Sequence, residues 1–271
     1  MNLRRCLAIA GVGLSIAASH AQAATLAGPP TYGYPNQPWG TRRPVTAADR
    51  VAVARYRSGT LKPAFASDFT DAAALTSQWQ LRSDDYLKSC RRPENVVATA
   101  SGLELQTRVA EDCRARWSTG SMISTYRQKF GFFEATIKAA DISGLNNAFW
   151  LVTSDHFEID IAEIHYPNVV NLTLHDNNRI DGAFPLSVGF KTTFADNFSR
   201  GYHDFGVLWT PSDIIYEVDG EPVAAISTSG ALHDVADIRF SSALMDYAGA
   251  IPRDPVGHQM YVKSVRIFPL S

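Results

Sequence analysis

From about residue 65 onward, apolar and polar positions alternate in short runs with turn residues between them. Val96-Val97 is followed by Leu103-Glu104-Leu105-Gln106-Thr107, which repeats with period two, as do residues 132–137 and 171–174. That period belongs to a strand with one face in a core. Ile214-Ile215-Tyr216-Glu217-Val218 runs straight into Asp219-Gly220, a hairpin turn pair. Another alternating run over 261–268 closes the chain. No long stretch repeats at 3.6 residues, so many short strands at close spacing predict an all-β sandwich or jelly roll. Residues 24–60 read differently. Gly28-Pro29-Pro30, Tyr34-Pro35-Asn36-Gln37-Pro38 and Arg43-Pro44 interrupt any regular element, leaving room for one short helix over 45–56. The expectation is a poorly packed N-terminal extension over 24–60 and a single domain over 61–271.

The first 23 residues look like an export signal. Arg4 and Arg5 precede an apolar, small-residue run over 7–18, and Ala21-Gln22-Ala23 forms an A-x-A cleavage site ahead of Ala24. The run is too short to span a bilayer, and no later segment reaches ~18 apolar residues. A secreted or periplasmic protein is expected, with no membrane association once the signal is removed. Cysteine usage agrees: Cys6 leaves with the signal, and Cys90 and Cys113 remain. In an oxidising compartment they suggest one disulfide, two free buried thiols being the alternative. The loop so closed, about 23 residues, is worth roughly 3 kcal/mol in the chain-entropy model. Neither cysteine has a C-x-x-C or nearby histidine partner, which argues against zinc.

Composition narrows the partners. The chain is 45% hydrophobic, which excludes wholesale disorder. The formal net charge is −2, and removing the two arginines of the signal leaves 23 − 27 = −4. A mildly acidic protein argues against nucleic acid as a partner. Aromatic residues make up 11%, which suits a sandwich core and a sugar-stacking groove equally.

The informative segment is Phe157-Glu158-Ile159-Asp160-Ile161-Ala162-Glu163. Period two places Glu158 and Asp160 on one face and Ile159 and Ile161 on the other. Strict alternation would put Ala162 beside the acids, but a one-residue bulge near Ile161-Ala162 would return Glu163 to their face. Carboxyls this close raise one another's pKa. Such a pair suits glycosidic bond cleavage, one carboxylate attacking the anomeric carbon and one acid protonating the leaving oxygen. A solvated strand edge is the bland alternative, and a metal site using His156, Glu158, Asp160 and His165 is a third reading.

Glu158-Ile159-Asp160-Ile161-Ala162-Glu163 resembles the E-x-D-x-x-E signature of glycoside hydrolase family 16. Thr119-Gly120-Ser121-Met122-Ile123-Ser124, Phe130-Gly131-Phe132-Phe133-Glu134-Ala135 and Ala148-Phe149-Trp150-Leu151 look like that family's strands ahead of the acids. Phe130 stands where the family usually has Tyr. The stretch 202–211, ending Trp209-Thr210-Pro211, and Val218-Asp219-Gly220 look like its later motifs, with His203 about one position out of step. The resemblance covers roughly 65–271. It implies a concanavalin A-like jelly-roll sandwich of two curved antiparallel sheets with a cleft on the concave face. It also implies retaining cleavage of internal β-linkages in polysaccharides, or glycosyl transfer on the same substrates. A non-catalytic lectin on this fold is the rival from another class.

Carried over, Glu158 is the nucleophile, Asp160 the assisting acid and Glu163 the general acid/base. The extra residue before Glu163 makes the chain similar to laminarinases, agarases and carrageenases rather than to lichenases and xyloglucan transferases. A β-1,3-glucan or related polysaccharide is the expected partner, and a monomer the expected state. Trp150, His175, Trp117, Arg116 and Asn147 are candidate substrate contacts, His175 through a sugar hydroxyl or Glu163. Trp209 reads as structural. No cofactor is required and no metal ligand is assigned. Some family members bind calcium away from the cleft, and Asp68 and Asp71 are acids near the first strand that a structural calcium ion could use.

Overall fold

The protein is described here by a computed structural model covering residues 24–31, 34–178 and 186–271; the expected export signal, 1–23, lies outside the described residues. Alternation along the strands sorts side chains into two faces, and two antiparallel sheets close their apolar faces on each other. The sheet that carries the acids has seven strands. They are β1 (Trp79–Leu81), β2 (Ser121–Gln128), β3 (Leu145–Thr153), β4 (Phe157–His165), β5 (Val169–Asp176), β6 (Leu186–Thr193) and β7 (Ala236–Leu244). Their spatial order is β6-β5-β4-β3-β7-β2-β1, so the acid strand β4 lies well inside the sheet. The facing nine-stranded sheet is centred on Gly131–Lys138, with His203–Trp209 on one side and Gln259–Phe268 on the other.

Phe149, Leu151, Ile159, Ile161, Leu172 and Leu174 of the acid sheet are fully buried against Phe133, Phe205, Val207 and Trp209 of its partner. Trp209 is therefore a core residue, as its turn context suggested. Tyr216 crosses the core from the facing sheet, and its hydroxyl donates to the Thr173 carbonyl on β5 at 3.0 Å. This ties the two layers together directly behind the acids.

The N-terminal segment corrects the expectation of a poorly packed lead-in. Thr41–Arg43 pairs with Glu221–Ser227 at one end of the facing sheet. Helix α1 (Ala47–Arg57) starts in a reciprocal capping box between Thr46 and Asp49. Its Val53 and Tyr56 are buried, Tyr56 stacking on Phe132 at 5.2 Å. Ahead of it, Leu26 bridges Phe194 and Thr31 bridges Lys191, along the β6 edge. Proline removes the donors and periodicity of a strand but leaves such single-residue pairings available, so pattern reading missed them.

Two further features were not legible. Helix Ala72–Gln78 is capped by Asp71, which accepts from Ala73 N at 2.8 Å. Asp68 accepts from Thr70 N at 3.1 Å, so both acids put forward for calcium serve local turns. A small sheet of Asp84–Tyr86, Ser89–Arg91, Arg108–Val109 and Trp117–Thr119 surrounds a disulfide between Cys90 and Cys113. Its strands are too short to show a period. Among the described residues no helix is long and apolar enough to cross a membrane.

Candidate active site

The register of β4 explains why the acids converge. Against β5, Glu158 faces His175, Asp160 faces Thr173, and Glu163 faces Asn171, leaving one residue extra on β4. Against β3, Asp160 faces Trp150 and Ala162 faces Phe149, so Ile161 is the inserted residue. Ile161 and Ala162 are both fully buried, and Glu163 returns to the face of Glu158 and Asp160. The bulge expected from the sequence is present. The carboxyls line a cleft of about 610 Å³ with Trp150, Tyr34, Tyr86, Asn146, Tyr247 and the β5 and β6 side chains.

Each acid has its own partners. Asp160, buried, meets His175 Nε2 at 2.8 Å, and His175 Nδ1 meets the Ser187 hydroxyl at 2.5 Å. Glu158 accepts from the Asn177 side-chain amide at 3.1 Å. Glu163 Oε1 accepts from Asn146 at 2.7 Å and from the Tyr247 hydroxyl at 2.7 Å, while Asn171 stands 3.5 Å from Oε2. Burial, and then the charge of Asp160, push the Glu158 carboxyl up to about 7. Burial pushes Asp160 up as well, against the hydrogen bond from His175. Burial works against a charged His175, but the hydrogen bond and charge of Asp160 outweigh it and lift the imidazole to about 9. The result near neutrality is an imidazolium sharing a pocket with two carboxyls that compete for one proton.

The family model for glycosyl hydrolases family 16 matches residues 84–249, more than half of the chain. The chain belongs to this family. Its curated relatives include two endo-1,3-1,4-beta-glycanases of Rhizobium meliloti (strain 1021). EglC is 31% identical over 163 residues, covering 56% of this chain and 34% of that protein. ExsH is 30% identical over 187 residues, covering 65% and 39%. The chain thus spans little more than a third of either. Among solved structures, the catalytic domain of an endo-1,3-beta-glucanase (laminarinase) from Thermotoga petrophila RKU-1 superposes with a TM-score of 0.67 at 18% identity. It covers 77% of this chain and 97% of that domain. The sandwich is accordingly the family's jelly roll.

Of the family 16 candidate contacts, Trp150 and His175 line the cleft. Trp150 donates from Nε1 to the Ser241 hydroxyl at 3.2 Å, and the Arg239 guanidinium lies 4.8 Å from its ring centroid. His175 bonds Asp160 rather than Glu163, because it stands beside Glu158 and Asp160 in the register. Asn147 does not reach the cleft. It is fully buried on the core-side parity of β3, donating to the carbonyls of Leu145 and Ile164 and accepting from Ala140 N. Its neighbour Asn146 shares the parity of Trp150 and points to Glu163. Counting by twos back from Trp150 would have selected it.

Arg116 and Trp117 do not line the cleft either. Arg116 is exposed in a left-handed turn at φ 64°, and Trp117 packs on the Ala140, Ile142, Leu145 and Leu244 cluster. The metal reading through His156 does not assemble, since His156 is exposed in a turn before β4. Glu158, Asp160 and His175 do bring ligand atoms within 4.8 Å of one another, but the His175 nitrogen is committed to Asp160. Tyr34 and Tyr247 were missed. Tyr34 arrives from the N-terminal segment, its ring 6.4 Å from that of His175, and Tyr247 from the turn after β7.

Proposed function

We propose that the chain is an exported, retaining endo-β-glycosidase that cleaves internal linkages of a β-1,3-glucan or related polysaccharide. The observation that carries this reading is the bulged strand. It sets Glu158 and Glu163 on one face of an open cleft, with Asp160 and its histidine between them. Glu158, as carboxylate, attacks the anomeric carbon while Glu163 gives its proton to the departing glycosidic oxygen. The glycosyl-enzyme ester is then hydrolysed by water that Glu163, now a carboxylate, deprotonates. Asp160, held by His175, shares one proton with Glu158 and so tunes the nucleophile. Trp150 and the cleft tyrosines offer flat faces for sugar rings.

A lectin would gain nothing from burying Asp160 between two further acids, since a desolvated carboxyl destabilises the fold. The Cys90–Cys113 disulfide supports an oxidising compartment, and so the export signal over 1–23. The test is reducing-sugar release from laminarin, mixed-linkage β-glucan, agarose and carrageenan, with Glu158→Gln alongside. Release that vanishes in the variant is expected. Release that persists in it would remove Glu158 from the mechanism, and binding without release on every polymer would support the lectin.

A further inference from the structure

The arrangement of Tyr247 in the cleft exceeds what sugar stacking asks for. It is 54% exposed, yet its hydroxyl both donates and accepts a hydrogen bond. Asn146 Nδ2 donates to the phenol oxygen at 3.0 Å and to Glu163 Oε1 at 2.7 Å. The phenol oxygen is thereby an acceptor for one amide hydrogen, and its own hydrogen is directed to Glu163 Oε1 at 2.7 Å. The three groups are in mutual hydrogen-bond contact around Glu163 Oε1.

The turn that presents Tyr247 is built to hold it. Residues Asp246–Ala248 form a 3-10 turn whose Ala248 is buried. Met245 N donates to the Gly144 carbonyl at 2.9 Å and Gly144 N to the Ala248 carbonyl at 3.1 Å. The Tyr247 ring also packs over His165, at 5.4 Å between centroids. His165 is buried, and burial lowers its imidazole to about 4, so it is a neutral floor beneath the phenol.

Resting on the proposed role of Glu163, we infer that Tyr247 is a positioning residue for that acid, acting with Asn146. Two donors on Oε1 disfavour a proton on that oxygen when the carboxyl is protonated. Oε2, which among the described residues has the 3.5 Å approach of Asn171 alone, is left to carry it. In the first half-reaction the proton passes from Oε2 to the glycosidic oxygen, which keeps the electron pair of the breaking C–O bond. In the second, Oε2 takes a proton from water as the water oxygen bonds to the anomeric carbon and displaces the Glu158 carboxylate. Tyr247 itself exchanges no proton with substrate.

The test separates acid catalysis from binding by the leaving group. An unactivated glucan needs protonation of its departing oxygen, whereas a 2,4-dinitrophenolate leaves without it. Tyr247→Phe, Glu163→Gln and the parent are compared by kcat/KM on laminarin and on 2,4-dinitrophenyl β-laminaribioside, with melting curves to check folding. Tyr247→Phe should lose about tenfold on laminarin, the scale of one hydrogen bond to a charged group, and stay within about threefold on the aryl glycoside. Equal losses on both substrates, or no loss on laminarin, would overturn the positioning role. Glu163→Gln must show the same selectivity in larger form. If it does not, the assignment of Glu163 fails, separately from that of Tyr247. The contact itself is read without turnover by tyrosine 13Cζ NMR. Glu163→Gln should move one resonance, the one Tyr247→Phe deletes, and an unmoved resonance would contradict the hydrogen-bond contact.

Discussion

Replacing His175 with glutamine keeps a side-chain N–H donor for Asp160 and removes one positive charge from the carboxyl pocket. In the native protein the reactive atoms of His175, Glu158 and Asp160 lie within 4.8 Å of one another. At an effective dielectric constant of about 20, a unit charge at that distance is worth about 3.5 kcal/mol, or about 2.5 pK units. The lost charge is shared between two coupled carboxyls, so the expected shift in either is about 1 to 2 units. The sign is fixed by the chemistry: the imidazolium lowers the Glu158 pKa, so its loss raises it. Attack requires Glu158 as carboxylate, which in the native protein titrates at about 7. His175 stays charged until about 9. The acid limb of kcat/KM, which reports the free enzyme, should therefore lie near pH 7 in the parent and move upward by about 1 to 2 units in His175→Gln. The assay is kcat/KM on laminarin from pH 4 to 10, with melting curves at each end. An acid limb that stays put, or moves to lower pH, would refute the view that His175 acts through its charge.

Three further outcomes follow from packing and charge. Cys90→Ser should lower stability by about 3 kcal/mol under oxidising conditions, from the loop entropy of a 23-residue closure. It should be indistinguishable from the parent in reductant, as read by denaturant melts in both. Arg57→Ala should destabilise by about 3 to 5 kcal/mol. Arg57 on α1 pairs with Glu134, meets Asp204 at 2.8 Å and lies 3.7 Å from the fully buried Glu217; its loss leaves Arg266 on Glu134 and no cation within 4 Å of Glu217 among the described residues. Adding Glu217→Gln should recover part of that loss, and a neutral result for Arg57→Ala in a urea melt would show that α1 merely rests on the sheet. Glu158→Gln should raise stability at pH 8 by about 1 to 3 kcal/mol. A buried carboxyl with a raised pKa stabilises the fold below its unfolded value, and that contribution is lost as pH rises through about 7. The gain should disappear at pH 4.

The acids were legible because their chemistry and their placement obey one rule. Period two set Glu158 and Asp160 together, and the misfit of Glu163 called for the single inserted residue that Ile161 supplies. Asn147, named as a substrate contact, instead bonds backbone on the core side of β3, and the residue on the parity of Trp150 is Asn146. Tyr247 had no local signal, since its partners lie 84 and 101 residues away in the chain and only the meeting of β7 with β3 joins them. Tyr34 was hidden by its prolines. Ahead of residue 41 the N-terminal segment is held by isolated bridges and by Trp39 packing on Phe157 at 5.6 Å, neither of which leaves a period to read.

If Glu158 is the nucleophile, it forms a covalent bond to sugar in this cleft. Treating the protein with 2,4-dinitrophenyl 2-deoxy-2-fluoro-β-laminaribioside traps that bond, and peptide mass spectrometry locates it. One equivalent of fluoroglycosyl is expected on Glu158, with release of one dinitrophenolate and parallel loss of activity on laminarin. A label on Glu163 or elsewhere, or steady cleavage of laminarin with no adduct at saturating reagent, would contradict that role for Glu158.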